Sequence, residues 1–162
     1  MLRTRIYTAL CFLILFLVGL FYFSPVFWMT LILAIAVIGS WEWSKLSEFP
    51  LSGSILYLIF TVLIGGELLF ILSSVTIVDP YTTQFIWLYA ITLAFWLLAV
   101  PCLLKFNVPI RNPILLALIG WLLLLPTCLA LFQLRAIDPI LLLGFIAAIW
   151  ISDTAAYFTG RK

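Results

Sequence analysis

The sequence predicts an all-α fold, a polytopic bundle of about six transmembrane helices with both termini on the cytoplasmic side. Three observations lead to it. The 162 residues are 67% hydrophobic and only 9% charged, whereas soluble domains are roughly 25% charged. The apolar residues come in runs of about 20, the length that crosses a hydrocarbon core of about 30 Å. The few cations concentrate in alternate connections, as in other multi-pass membrane proteins.

The first apolar stretch, 6–40, is too long for a single span, because at helical rise it would extend about 52 Å. Ser24-Pro25 is its only break. Proline cannot continue helical hydrogen bonding, and it disfavours helical backbone in the residue before it. We therefore predict two antiparallel spans, near 6–23 and 26–40. The first is too long for a signal-peptide core and has no small-residue cleavage pattern, so we interpret it as an anchor.

Short polar segments separate four further spans, near 54–73, 83–104, 114–133 and 139–159. The chain 1–162 is thus predicted to be one transmembrane domain. With both ends on one side, seven cations share that side, namely Arg3, Arg5, Lys45, Lys105, Arg111, Arg161 and Lys162. Only Arg135 falls on the other side, so the positive-inside rule places both termini in the cytoplasm.

The composition excludes several kinds of site. The chain has no histidine, which rules out a histidine base or a histidine-ligated zinc. Cys11, Cys102 and Cys128 are odd in number and lie in apolar runs, which favours packing over a disulfide framework. A net charge of +2 without a basic run argues against nucleic-acid binding. Any chemistry must use carboxylates, hydroxyls, cations and a hard metal ion.

Polar residues outside the last span have simpler interpretations. Trp41-Glu42-Trp43 follows the second span, and indoles beside charges suit the headgroup layer, as an anchor or as a loop beside a lipid headgroup substrate. Asp79 and Asp138 each precede a proline, a pattern typical of turns. Glu67 is the only carboxylate in a span besides Asp153, and sharing a metal site with it would need a tilted or shifted helix.

Asp153 is the most informative residue, because it lies within the last span. An ionised side chain near the centre of a membrane helix costs roughly 2.5–3.5 kcal/mol, so such residues usually face a bundle interior, a cavity or a partner. Small residues recur every four positions in this helix, which predicts close packing against another helix, internal or in a second subunit. This small-residue ridge consists of Gly144, Ala148, Ser152, Ala156 and Gly160.

The row beside this ridge combines a carboxylate, a phenol and a cation. It contains Asp153, Tyr157 and Arg161, spaced four residues apart, and we expect it to face inward. Magnesium prefers one or two carboxylates together with substrate phosphates and waters, and Arg161 or Lys162 would offer charge to a phosphate. The alternative is a structural Asp153, hydrogen-bonded to a neighbouring hydroxyl.

The ending Asp153-Thr154-Ala155-Ala156-Tyr157-Phe158-Thr159-Gly160-Arg161-Lys162 resembles the central motif of the phosphatidate cytidylyltransferases, also called CDP-diacylglycerol synthases. Two runs nearer the start are similar to the amino-terminal half of the same family. They are Met1-Leu2-x-x-Arg5, which leads into the first helix, and Trp41-Glu42-Trp43 with Leu46.

The resemblance implies a reaction in which the phosphate of phosphatidic acid attacks the α-phosphorus of CTP, forming CDP-diacylglycerol and pyrophosphate. It implies Mg²⁺ as cofactor, a bacterial-type inner membrane with the active face cytoplasmic, and a homodimer. It also implies that Asp153 is catalytic and a metal ligand, and that Tyr157, Arg161 and Lys162 bind substrate phosphates. Such a reaction needs mainly positioning and charge neutralisation.

The chain departs from the family pattern after Lys162, where family members continue into a lysine- and aspartate-rich carboxy-terminal part. We therefore expect an amino-terminal portion that is inactive alone. Two other functions stay open. One is a non-catalytic polytopic protein, a transporter or assembly subunit, in which Asp153 carries a proton or pairs with a cation. The other is a CTP-dependent kinase of a polyprenol or phytol.

Overall fold

The computed structural model describes residues 2–106 and 110–160, and within them the chain forms helices joined by short turns, without strands. The helices are α1 (Leu2–Tyr22), α2 (Pro25–Leu46), α3 (Leu51–Thr76), α4 (Ile86–Phe106), α5 (Pro113–Ile137) and α6 (Pro139–Thr159). Five of them, α2 to α6, are long and apolar enough to cross a membrane. The predicted six-helix, all-α membrane bundle is confirmed.

Three helices begin with the same pair of residues, an N-cap side chain followed by proline. Ser24 accepts a hydrogen bond from the Phe27 amide at 3.4 Å, and Asn112 and Asp138 cap α5 and α6 in the same way. Proline at the first helical position lacks an N–H that would be unpaired there anyway. Asp79 also bonds locally, accepting from the Tyr81 amide at 3.0 Å. The prediction that Asp79 and Asp138 form turns is therefore confirmed.

The helix α4 contains a wider turn, a π-helical segment at Phe95–Ala99. Pro101 explains it, because a proline ring in a regular helix would clash with the carbonyl four residues earlier. The helix α2, in contrast, is longer than predicted. It continues through Trp41-Glu42-Trp43 as far as Leu46, so these residues are not a loop.

The centre of the bundle is formed by α2, α3 and α5. Its buried apolar side chains include Trp28, Ile32, Leu69, Leu129 and Phe132, together with Leu20 of α1 and Leu142 of α6. Hydrogen bonds also link the three central helices. The Thr61 hydroxyl donates to Ser40 at 3.2 Å and accepts from the Trp121 indole at 2.9 Å. Such bonds replace the hydrophobic driving force that is missing between helices in lipid.

Successive helices run in opposite directions, so α3 and α5 begin at the end of the bundle where α2, α4 and α6 finish. This end carries Lys45, Lys105 and Arg111 and is called the basic end below. Arg135 lies at the opposite end, as the sequence predicts. We predict that the basic end faces the cytoplasm.

Arg135 also ties α1 to the bundle, a role that its sequence position did not reveal. Its Nε donates to the Leu20 carbonyl at 2.8 Å, and its Nη2 donates to the Phe23 carbonyl. The guanidinium lies 4.9 Å from the centroid of the Trp28 ring. Carbonyls in the last turn of a helix have no hydrogen-bond partner within that helix. Arg135 of α5 supplies the missing donors at the end of α1, and its cation also lies against the Trp28 ring.

Replacing Arg135 by glutamine should loosen the end of α1. The loss of two charge-assisted hydrogen bonds is expected to lower the free energy of unfolding by about 2 kcal/mol. Hydrogen–deuterium exchange at residues 19–25 is the direct measurement, and exchange there should accelerate. Arg111→Gln, at the basic end, is the control. Unchanged exchange in Arg135→Gln would contradict this account of α1.

Candidate functional site

Asp153 lies in the second half of α6, about 9 Å before the helix ends at Thr159. The first half of α6 packs on the core through Leu142, Leu143 and Ile146. At 100° per residue, Asp153 lies only about 20° around the helix axis from Leu142. It therefore lies in line with the residues by which the first half of α6 contacts the bundle.

The covering expected over Asp153 does not occur within the described residues. From Ala148 to Tyr157 every residue of α6 is exposed, Asp153 included. Its carboxylate takes part in no ion pair or hydrogen bond with the described part of the chain. The prediction of a buried carboxylate is therefore wrong for these residues. Trp150 of α6 contacts Phe16 of α1, with 6.4 Å between the ring centroids.

The small-residue ridge of α6 does not pack against any described helix. Its five residues are exposed, and a Cβ added at Gly144 would meet nothing within 4 Å. The reason is the angular position of the ridge, because Gly144 lies about 200° around the axis from Leu142. The larger Leu142 and Ile146 occupy the side of α6 that faces the bundle. Gly144, where the ridge begins, therefore lies on the opposite side of the helix.

The other predicted site residues are only partly placed. Tyr157 follows Asp153 by one helical turn on the same face and is 61% exposed. Arg161 and Lys162 lie outside the described residues. Asp153 and Tyr157 thus form an exposed polar strip on one face of α6, near its basic end. Arg161 and Lys162 follow this strip in the sequence.

Glu67 is too far from Asp153 to share a metal ion with it. It is exposed on α3, about 24 Å from the basic end, whereas Asp153 is about 9 Å from that end. Among the described residues no group of three or more acidic, cysteine or histidine side chains comes together. Asp153 is therefore the one acidic side chain that α6 contributes near the basic end.

Trp43 packs between α2 and α5 at the basic end of the bundle. Its indole N–H donates to the Leu116 carbonyl of α5 at 2.9 Å. Gly120 makes this approach possible, because an added Cβ would overlap the Trp43 ring and the Tyr57 hydroxyl. Trp41 is half-buried like Trp43, and Lys45 Nζ lies 5.0 Å from its ring centroid. Trp43 and Gly120 thus fix how α2 crosses α5.

A search of curated proteins and a search of solved structures returned no match to this chain. One family model does match, that of the cytidylyltransferase family, and it spans residues 3–162. The matched range includes the Asp153 helix and Trp41-Glu42-Trp43, and it begins at Arg3, within the first of the two runs near the start. It therefore agrees with the resemblance found in the sequence. Enzymes of this kind transfer a nucleotidyl group from CTP. With nearly every residue matched and an all-helical membrane fold, the chain belongs to the cytidylyltransferase family.

Proposed function

We propose that this protein transfers the cytidylyl group of CTP to phosphatidic acid at the cytoplasmic face of a bacterial-type inner membrane. A phosphate oxygen of phosphatidic acid forms a bond to the α-phosphorus of CTP, and the bond from that phosphorus to the bridging oxygen breaks. CDP-diacylglycerol and pyrophosphate are the products. The observation that supports this most is the family match across the run that contains Asp153.

The position of Asp153 suits a membrane-bound lipid substrate. Its carboxylate is exposed about 9 Å inside the basic end. Lipid phosphates lie outside the hydrocarbon core, nearer to the basic end, and CTP arrives from water at the same end. The exposed face that carries Asp153 leads from this end to the carboxylate.

We assign complementary roles to the residues of this strip. Asp153 would hold a magnesium ion, which would neutralise charge on the triphosphate and on the departing pyrophosphate. Tyr157, one turn closer to the basic end, donates its hydroxyl to a phosphate oxygen. Arg161 and Lys162 supply cationic contacts to phosphate, for which the planar arginine fork is well suited. No histidine or protein nucleophile is needed, because the lipid phosphate is itself the nucleophile.

Pyrophosphate release tests the substrate. Membranes in which the complete gene is expressed should release pyrophosphate from CTP when phosphatidic acid is added. Diacylglycerol, a polyprenol or phytol should not replace phosphatidic acid, because they lack the attacking phosphate. Release that depends equally on any of these lipids would refute the proposal.

A further inference from the structure

A cavity of about 640 Å³ with charged residues in its lining opens at the basic end. It lies between the turn that joins α2 to α3 and the start of α5. Trp43 and Pro113 form part of its wall, and Glu48 and Arg111 supply its charges. Asp153 and Tyr157 are not among its lining residues.

An apolar groove of about 430 Å³ adjoins this cavity, and Phe49, Pro50 and Pro113 line both. The groove follows α3 and α5 into the bilayer as far as Phe60 and Trp121. These residues lie about 12–14 Å from the helix starts. Their rings meet edge to face, 6.2 Å between centroids. The cavity and the groove together thus place charged residues at the basic end and apolar residues deeper in the bundle. A lipid molecule has the same order of headgroup and acyl chain.

The two charges in the cavity are opposite in sign but do not pair. Within the described residues the ion pair is Lys45 with Glu42, which is separate from Glu48 and Arg111. Both Glu48 and Arg111 are exposed. A ligand that carries a cation and an anion a few bonds apart would therefore complement both side chains at once.

Backbone hydrogen bonds hold Glu48 in place. The Phe49 amide donates to the Ser44 carbonyl at 3.0 Å, and the Glu48 amide donates to the Lys45 carbonyl at 3.1 Å. These two bonds form a Schellman motif, in which Glu48 has φ of 55°. Glycine usually occupies this left-handed position, because a side chain there strains the backbone. Glu48 therefore retains a side chain at a position where glycine would fit better.

We propose that this cavity and groove bind one molecule of phosphatidylethanolamine. The Arg111 guanidinium holds the lipid phosphate, the Glu48 carboxylate accepts hydrogen bonds from the ethanolamine ammonium, and an acyl chain fills the groove. Phosphatidylcholine fits less well because its methylated ammonium has no N–H to donate. Phosphatidylglycerol fits less well because its headgroup has no cation to pair with the Glu48 carboxylate. This inference does not depend on the proposed function.

Native mass spectrometry of the purified full chain tests the preference. The chain is mixed with equal amounts of phosphatidylethanolamine, phosphatidylcholine and phosphatidylglycerol that carry identical acyl chains. The one-lipid adduct should contain phosphatidylethanolamine about tenfold more often than phosphatidylcholine, which corresponds to about 1.4 kcal/mol. Glu48→Gln should bring that ratio close to one, and Arg111→Gln should lower adducts of all three lipids.

Matched controls are available at the same end of the bundle. Glu42→Gln and Lys105→Gln remove charges that do not line the cavity, so they should leave the adducts unchanged. If Glu48→Gln fails to fold, Glu48→Asn tolerates the left-handed backbone while shortening the side chain. A ratio near one in the unmodified chain, a preference for phosphatidylglycerol, or a preference that survives loss of the Glu48 carboxylate would each overturn the proposal.

Photocrosslinking of the unmodified chain locates the acyl tail. A phosphatidylethanolamine analogue with a diazirine on its acyl chain should label peptides that contain residues 53–60 or 114–121. Excess unlabelled phosphatidylethanolamine should abolish this labelling, and excess phosphatidylcholine should not. Labelling spread evenly over the lipid-facing helices would show a bulk annulus and contradict a defined site.

Discussion

Changing Asp153 to asparagine is expected to lower the rate of CTP-dependent lipid modification by about 100-fold or more. The substitution keeps the size of the side chain but removes the negative charge that we assign to the metal ion. Loss of a single charge-stabilising group in other active sites costs a factor of 10² to 10³ in rate. The rate is measured in membranes in which the complete gene is expressed, with protein levels equalised by immunoblot.

Asp138→Asn is the matched control, because it makes the same chemical change at the other end of α6. Asp138 caps this helix by accepting from the Ile140 amide at 2.8 Å, and asparagine caps equally well. Activity of Asp138→Asn should stay within about twofold of the unmodified enzyme. If Asp153→Asn retained a comparable activity, Asp153 would have no catalytic role.

The largest effect on stability is expected for Gly120→Val. The new side chain would overlap Trp43, which its hydrogen bond to Leu116 holds in place. It would also overlap the hydroxyl of Tyr57, whose ring stacks on Trp121 at 5.2 Å between centroids. Because both aromatic rings are constrained, α2 and α5 must move apart. We expect the free energy of unfolding to fall by about 3 kcal/mol.

Gly144→Val is the control for this change, since a Cβ at Gly144 meets no atom within 4 Å. Valine has a slightly better helix propensity than glycine, so Gly144→Val should stay within about 0.5 kcal/mol of the unmodified chain. Reversible unfolding in mixed micelles measures both variants. Equal stabilities of Gly120→Val and Gly144→Val would contradict the close contact of α2 and α5.

The number of helices and most of their starts could be predicted because local physics determines them. Apolar runs of membrane length give the spans, and the pairs Ser24-Pro25, Asn112-Pro113 and Asp138-Pro139 supply a cap and a fixed backbone angle. The end of α2 was less predictable. Polar residues after position 40 suggest a boundary, yet backbone hydrogen bonding carries the helix on to Leu46.

The face that a helix turns toward its neighbours was harder to predict. In α6 the small-residue ridge and the row containing Asp153 both suggested packing, and only the second continues the contact face. The inward side is occupied by Leu142 and Ile146, whose larger surfaces gain more dispersion contacts than glycine would. A ridge of small residues permits close packing but does not supply a partner helix.

Contacts between distant residues could not be predicted from one sequence. The hydrogen bond from Trp43 to Leu116 spans 73 positions, and that from Arg135 to Leu20 spans 115. Each side chain had a plausible local interpretation, as a headgroup anchor or a topology determinant. Gly120 was the one sequence feature that could have indicated a close contact at this point of α5. A glycine in a span does not show, however, that its partner is Trp43.

The position of the radioactive label in CTP tests the central claim most directly. Membranes in which the complete gene is expressed receive phosphatidic acid with CTP labelled at either the α- or the γ-phosphate. A cytidylyltransferase should incorporate the α-label into lipid as CDP-diacylglycerol and release the γ-label as pyrophosphate. Incorporation of the γ-label into lipid, with CDP left in solution, would show a lipid kinase and contradict the account.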